Sequence, residues 1–158
     1  MPPQACSICD EVAGRITAPG GVIYDDGFWT VAHHTGPYTD PGELIVMLRR
    51  HCETLSGLTG PEAAALGPVL RSAVGAVEQV VRPERVYTAC YGERVRHVHF
   101  FLLPRTTALP AGHIVSDLYR RARTLLRSWG VVRNPSAEAR TETAGRIRES
   151  DLWIRSST

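Results

Sequence analysis

Apolar residues recur with two periods along this chain, near 2 and near 3.6, and the switches between them order the elements. Residues 22–24 and 28–32 flank Asp25-Asp26-Gly27 and predict a β-hairpin. Residues 33–42, rich in Pro, Gly and Thr, read as a loop before a mostly apolar strand over 43–48 that ends in Arg49-Arg50-His51. Thr59-Gly60-Pro61-Glu62 has the form of a capping box. Leu66, Val69, Leu70, Ala73, Val74, Val77 and Val80 then lie on one face of a long helix, closed by Val81-Arg82-Pro83. Strands follow at 86–90 and 95–103 around the turn 91–94. Residues 9–18 predict a short first helix or turn. After residue 112 a second amphipathic helix carries Ile114, Val115, Leu118, Tyr119, Ala122, Leu125 and Trp129 on its apolar face, with Arg120, Arg121, Arg123 and Arg127 on a solvated one. Residues 133–143 read as a linker and 145–154 as a short terminal helix. The sum is an α+β domain: an antiparallel β-sheet of about five strands with a long covering helix. Residues 1–112 form its body, and 113–158 a helical extension packed on it.

Composition narrows the function classes. At 158 residues, with 43% hydrophobic and 22% charged content, the chain suits one globular domain that buries about two-thirds of its unfolded surface. No apolar run approaches the ~20 residues of a membrane span. The start Met1-Pro2-Pro3-Gln4-Ala5-Cys6 has neither the basic flank nor the apolar run of a leader, so the expected compartment is the cytoplasm, with reduced cysteines. A net charge of +2, without arginines interleaved with aromatics, argues against a nucleic-acid polymer as partner. All 18 basic residues are Arg, which excludes a lysine Schiff base.

The candidate chemistry lies in two places. Along the last strand, alternation puts His97, His99, Phe101 and Leu103 on one face, with the imidazoles ~6.6 Å apart. Two imidazoles on an otherwise apolar face each need a partner if buried. Near the N-terminus, Cys6-Ser7-Ile8-Cys9 admits three readings: a redox pair, two inert thiols, or half of a zinc site. A redox pair of the thioredoxin type would follow a strand, which this one does not.

Taken together, Cys6-x-x-Cys9, the Gly42-to-His51 segment, the Leu58-Thr59 helix start and His97-x-His99 resemble the histidine triad (HIT) family, named for the motif His-φ-His-φ-His-φ-φ. More broadly the chain is similar to the superfamily that includes galactose-1-phosphate uridylyltransferase. The resemblance covers about 100 residues, from Cys6 to Arg105. It implies a HIT-like fold, a structural Zn2+ held by Cys6, Cys9, His51 and His97, and a homodimer. Cys52 is a rival metal ligand by position. The resemblance also makes His99 the nucleophile that attacks the α-phosphorus of a nucleotide conjugate. Candidate substrate contacts are Glu93, Arg94, Arg96, Phe101, Arg105 and His34.

The sequence departs from the family on the nucleotide side. Phe101 replaces the third His of the motif, and a phenyl ring offers no polar contact to a leaving group. Gly92-Glu93-Arg94 stands where the family has Gly-Gln-Ser/Thr, and His34 or Thr35 stands where an Asp holds the ribose. Three functions are therefore expected to compete. They are nucleotidyl transfer or hydrolysis through His99, action on a non-nucleotide metabolite with His99 as general acid or base, and nucleotide binding without catalysis.

Overall fold

The computed structural model of the chain describes residues 6–106 and 113–154. Five strands, β1 (Val22–Asp25), β2 (Trp29–His33), β3 (Leu44–Leu48), β4 (Arg85–Ala89) and β5 (His99–Arg105), form one sheet in the order β1-β2-β3-β5-β4. Every neighbouring pair is antiparallel. The helices are α1 (Ser7–Val12), α2 (Gly60–Val81), α3 (His113–Ser128) and α4 (Ala137–Arg148). Among the described residues no helix is long and apolar enough to cross a membrane.

Both faces of the sheet are covered at its centre, which is why β2 and β3 are buried at every residue. One face carries Trp29, Val31, Val46, Leu48 and Leu102 against Val69, Ala73 and Val77 of α2. Trp29 is fully buried and its indole Nε1 donates to the Glu62 carbonyl at 2.9 Å, so its polar edge is satisfied where α2 begins. Burial of each such side chain contributes roughly 1.5–3 kcal/mol. The other face carries Ala32, Ile45, Met47 and Phe101 under Ile8 of α1. His99 pairs with Met47, and Phe101 with Ile45, so the histidine face of β5 is this α1-covered face.

The expected capping box is present. Thr59 Oγ1 accepts from the Glu62 N–H, and Glu62 Oε2 accepts from the Thr59 N–H at 2.7 Å. Glu62 also receives Arg50 Nε at 2.9 Å and Nη2 at 2.8 Å, which ties the segment leaving β3 to the start of α2. The Arg50 guanidinium, with the Thr59 N–H, holds the Glu62 carboxyl down to about 2. Gly42, before β3, has φ +86° and leaves no room for a Cβ, which would sit 2.5 Å from Val81 Cγ2. Its N–H donates to Nε2 of the fully buried His33, whose Nδ1 bonds the His34 carbonyl. That pair of bonds defines a neutral imidazole, and burial depresses its pKa.

Four expectations are corrected. The first helix begins at Ser7 with Cys6 as N-cap, two residues early, because the Cys6 sulfur accepts from the Cys9 N–H. The histidine strand begins at His99, not residue 95. Val98 instead bonds the backbone of Leu48 and Cys52, which continues the β3 edge beyond the sheet proper. The supposed linker contains the first half of α4, started by Ser136, whose hydroxyl accepts from the Ala139 N–H. Its polar sequence hid a helix that buries only Ala144 and Ile147. In α3 the apolar stripe is turned outward at Leu118 and Leu125, as is Trp129 just beyond it, while Arg127 is buried. The helix docks through guanidiniums on a carboxylate of the β2–β3 loop, so charge pairing overrides the apolar pattern. The side chains of Ile114, Val115, Tyr119 and Arg120 lie outside the described residues.

Candidate metal cluster and histidine pocket

The N-cap of α1, the turn after β3 and the segment before β5 meet at one point. There the ligand atoms of Cys6, Cys9, His51 and His97 lie within 4.8 Å of one another. Cys9 Sγ is 3.3 Å from His51 Nδ1 and 3.5 Å from His97 Nδ1, and Cys6 Sγ is 3.4 Å from His97 Nδ1. A tetrahedron with Zn–S of about 2.3 Å and Zn–N of about 2.0 Å has S···N edges of roughly 3.6 Å. The observed separations are such edges, so the donor set fits the ion. His97 Nε2 lies 2.7 Å from the Leu48 carbonyl, which can only accept. The proton is therefore on Nε2, and the Nδ1 lone pair faces the thiols, the orientation a ligand needs. Burial holds His97 below the usual imidazole range, which favours the neutral form. Burial and the adjacent Cys6 push the Cys9 thiol up to about 11, and a divalent cation would supply the charge that a thiolate lacks there. Cys52 stands apart, buried with its thiol on the Thr54 carbonyl at 3.3 Å.

His99 shows the opposite tautomer. Its Nδ1 is 2.6 Å from the His97 carbonyl, so Nδ1 carries the proton and Nε2 carries the lone pair. Nε2 has no hydrogen-bond partner among the described residues. Phe101 stands edge-on to His99 with centroids 5.0 Å apart, and to His34 at 5.2 Å. Tyr91 tilts over Phe101 at 6.3 Å. The wall beside His99 is thus aromatic, as expected from Phe101 standing where the family motif has its third imidazole.

The remaining candidates are scattered. Glu93 and Arg94 are exposed, on the rim of a cavity of about 780 Å³ beside the cysteines. Arg96 shares that rim and pairs with Glu53 at 3.8 Å, and Glu53 also approaches His51 Nε2 at 3.9 Å. Arg105 sits at the far end of β5, six residues from His99 or ~20 Å, paired to Glu84 at 2.5 Å. The structure does not bring it to the pocket. Sequence reasoning missed Glu11, whose Oε1 accepts from Thr35 Oγ1 at 3.0 Å and whose Oε2 is buried without a partner. Burial raises its carboxyl pKa. Its position three residues after the inward-facing Ile8 was the available signal.

A β1-β2-β3-β5-β4 antiparallel sheet under a long helix, with paired histidines entering β5, is the HIT-like fold. A hypothetical histidine triad nucleotide-binding protein from Sulfolobus tokodaii aligns with TM-score 0.65 and 14% identity over 91% of this chain and 90% of that one. A HIT-like protein involved in cell-cycle regulation from Bartonella henselae gives 0.64 and 15% over 90% and 94%. A zinc-bound histidine triad family protein from Mycobacterium smegmatis gives 0.63 and 20% over 91% of each chain. No protein-family model matches the sequence, and no curated protein matches it. At these identities the likeness establishes the fold, and the chemistry rests on the residues.

Proposed function

We propose that the protein is a hydrolase or nucleotidyltransferase that acts on a nucleotide phosphate conjugate through a covalent bond to His99, in a domain clipped by zinc. The single observation that carries this reading is the 2.6 Å bond from His99 Nδ1 to the His97 carbonyl. It fixes the tautomer and holds the ring by one nitrogen, leaving the other as a nucleophile. Nε2 attacks phosphorus, a P–N bond forms, and the bond to the leaving group breaks with its electron pair. Water or another acceptor then adds to phosphorus, the P–N bond returns its pair to Nε2, and the acceptor's proton passes to solvent. Phe101 has no proton for the departing atom, so the favoured substrates carry leaving groups stable as anions. Zinc on Cys6, Cys9, His51 and His97 would act structurally, fixing the start of β5 against α1 and the turn after β3. The M. smegmatis relative, described as zinc-bound, supports that assignment.

A second reading draws on the aromatic wall of Phe101, His34 and Tyr91, which suits a non-nucleotide metabolite with His99 as acid or base. The test incubates wild type and His99→Ala with nucleotide conjugates, quenches in alkali, where phosphoramidates survive, and takes intact masses. A nucleotidyl-sized gain in wild type alone, with kcat at least ~10³-fold lower in the variant, is expected. Turnover that survives in His99→Ala would overturn the covalent route.

A further inference from the structure

The C-terminal third of the chain grips the loop between β2 and β3. Arg127, with a side chain 4% exposed, donates from Nη1 to the Tyr38 carbonyl at 2.7 Å and from Nη2 to Asp40 at 2.5 Å. Arg123 takes the other Asp40 oxygen at 3.2 Å. Beyond α3, Asn134 donates to the Pro37 carbonyl at 2.7 Å and Arg140 to the Gly36 carbonyl at 3.2 Å. Between this loop and α3 a cavity of about 260 Å³ remains. His34 forms part of its wall, and the same ring packs on Phe101, so the cavity adjoins the His99 pocket.

Its electrostatics are unbalanced toward the cation. Arg94, Arg123 and Arg127 line it against the carboxylates Asp40 and Glu43. Asp40 is already shared by two guanidiniums, and Arg94 has no ion-pair partner among the described residues. A guanidinium cannot shed its proton, so Arg94, with no carboxylate paired to it among the described residues, keeps a full positive charge at the cavity wall that an anionic oxygen would offset. The Thr124 hydroxyl on the cavity wall adds a neutral donor. We infer that this cavity is a phosphate subsite, built by α3 against the β2–β3 loop, for a phosphate of the substrate other than the one at His99. The link to His99 rests on the function proposed above, whereas the anion site rests on the cavity alone.

Calorimetric titration with inorganic phosphate, and with AMP against ADP, tests it on the intact protein. Wild type is expected to bind phosphate and to hold ADP more tightly than AMP. Arg94→Gln and Arg123→Gln should each weaken phosphate about tenfold, the loss of one charge-assisted bond. Both should also erase the ADP preference, while His99→Ala keeps it. Arg123→Gln also loosens Asp40, so Thr124→Val, which leaves the ion pairs intact, should weaken phosphate by a smaller factor. No phosphate binding in wild type overturns the subsite. So does loss in Arg94→Gln or His99→Ala with Arg123→Gln and Thr124→Val unchanged, since that places the anion at His99. The mass test above addresses the covalent route separately, because an adduct at His99 needs no second phosphate.

Discussion

Two histidines, two residues apart, end up with opposite chemistry. At the metal end, His97 gives its Nε2 proton to the Leu48 carbonyl and aims Nδ1 at two sulfurs. At the pocket end, His99 gives its Nδ1 proton to the His97 carbonyl and leaves Nε2 open. The side chains are identical, so the difference comes from which carbonyl lies within reach of which ring nitrogen. A backbone acceptor selects the tautomer, and the tautomer selects the role. The ends also differ in completeness: the metal end has its full donor set, while the pocket end has a phenyl ring for the third imidazole.

The largest effect should come from breaking the metal end. Cys9→Ser, or a strong chelator, is expected to remove one equivalent of zinc and destabilise the domain by about 4 kcal/mol or more. For a chain of this size that is a fall in Tm of roughly 8–16 °C. Metal analysis beside a thermal melt checks it, and a metal-free wild type with an unchanged melt would contradict it. Next in size is repair of the pocket end. Phe101→His should raise kcat on the order of 10²-fold for conjugates with basic leaving groups and little for good ones. An equal gain on both kinds would count against an acid at that position.

Smaller effects follow from pH. Buried, neutral His33 has a depressed pKa, so the unfolded chain binds the proton more readily. Its stabilising contribution is complete above the ordinary value of 6.5 and is lost as pH falls below it. Glu62, held at about 2 against an ordinary 4.5, contributes fully above 4.5 and loses that contribution between 4.5 and 2. Urea midpoints across pH 7 to 2 should therefore fall in two stages. His33→Asn should flatten the upper stage and Glu62→Gln the lower, and neither change should move the metal content.

Much of this was legible in the sequence because it was local. The hairpin around Asp25-Asp26-Gly27, the capping box at Thr59 and the face shared by His99 and Phe101 follow from spacing alone. The four clustered cysteine and histidine residues were named through the family pattern, and the structure brings those four together. What stayed hidden was long-range pairing. Nothing near Asp40 signals that Arg123 and Arg127, more than eighty residues on, will close over it and turn the apolar stripe of α3 outward. The start of α4 was masked by a polar sequence whose cap alone marked it. Arg105 had the right strand parity but lies at the wrong end of β5, a distance that parity does not measure.

The carbonyl of His97 has a consequence for which positions are free to change. One residue supplies a ring to the cysteine–histidine cluster and a backbone oxygen to the neighbouring imidazole. Under the zinc-clipped reading proposed above, losing the ion would therefore loosen the bond that orients the His99 ring as well as the fold. Position 101, one alternation further along, carries no such double duty. The chain can therefore exchange one chemistry for another at Phe101 while the apparatus that aims His99 stays intact.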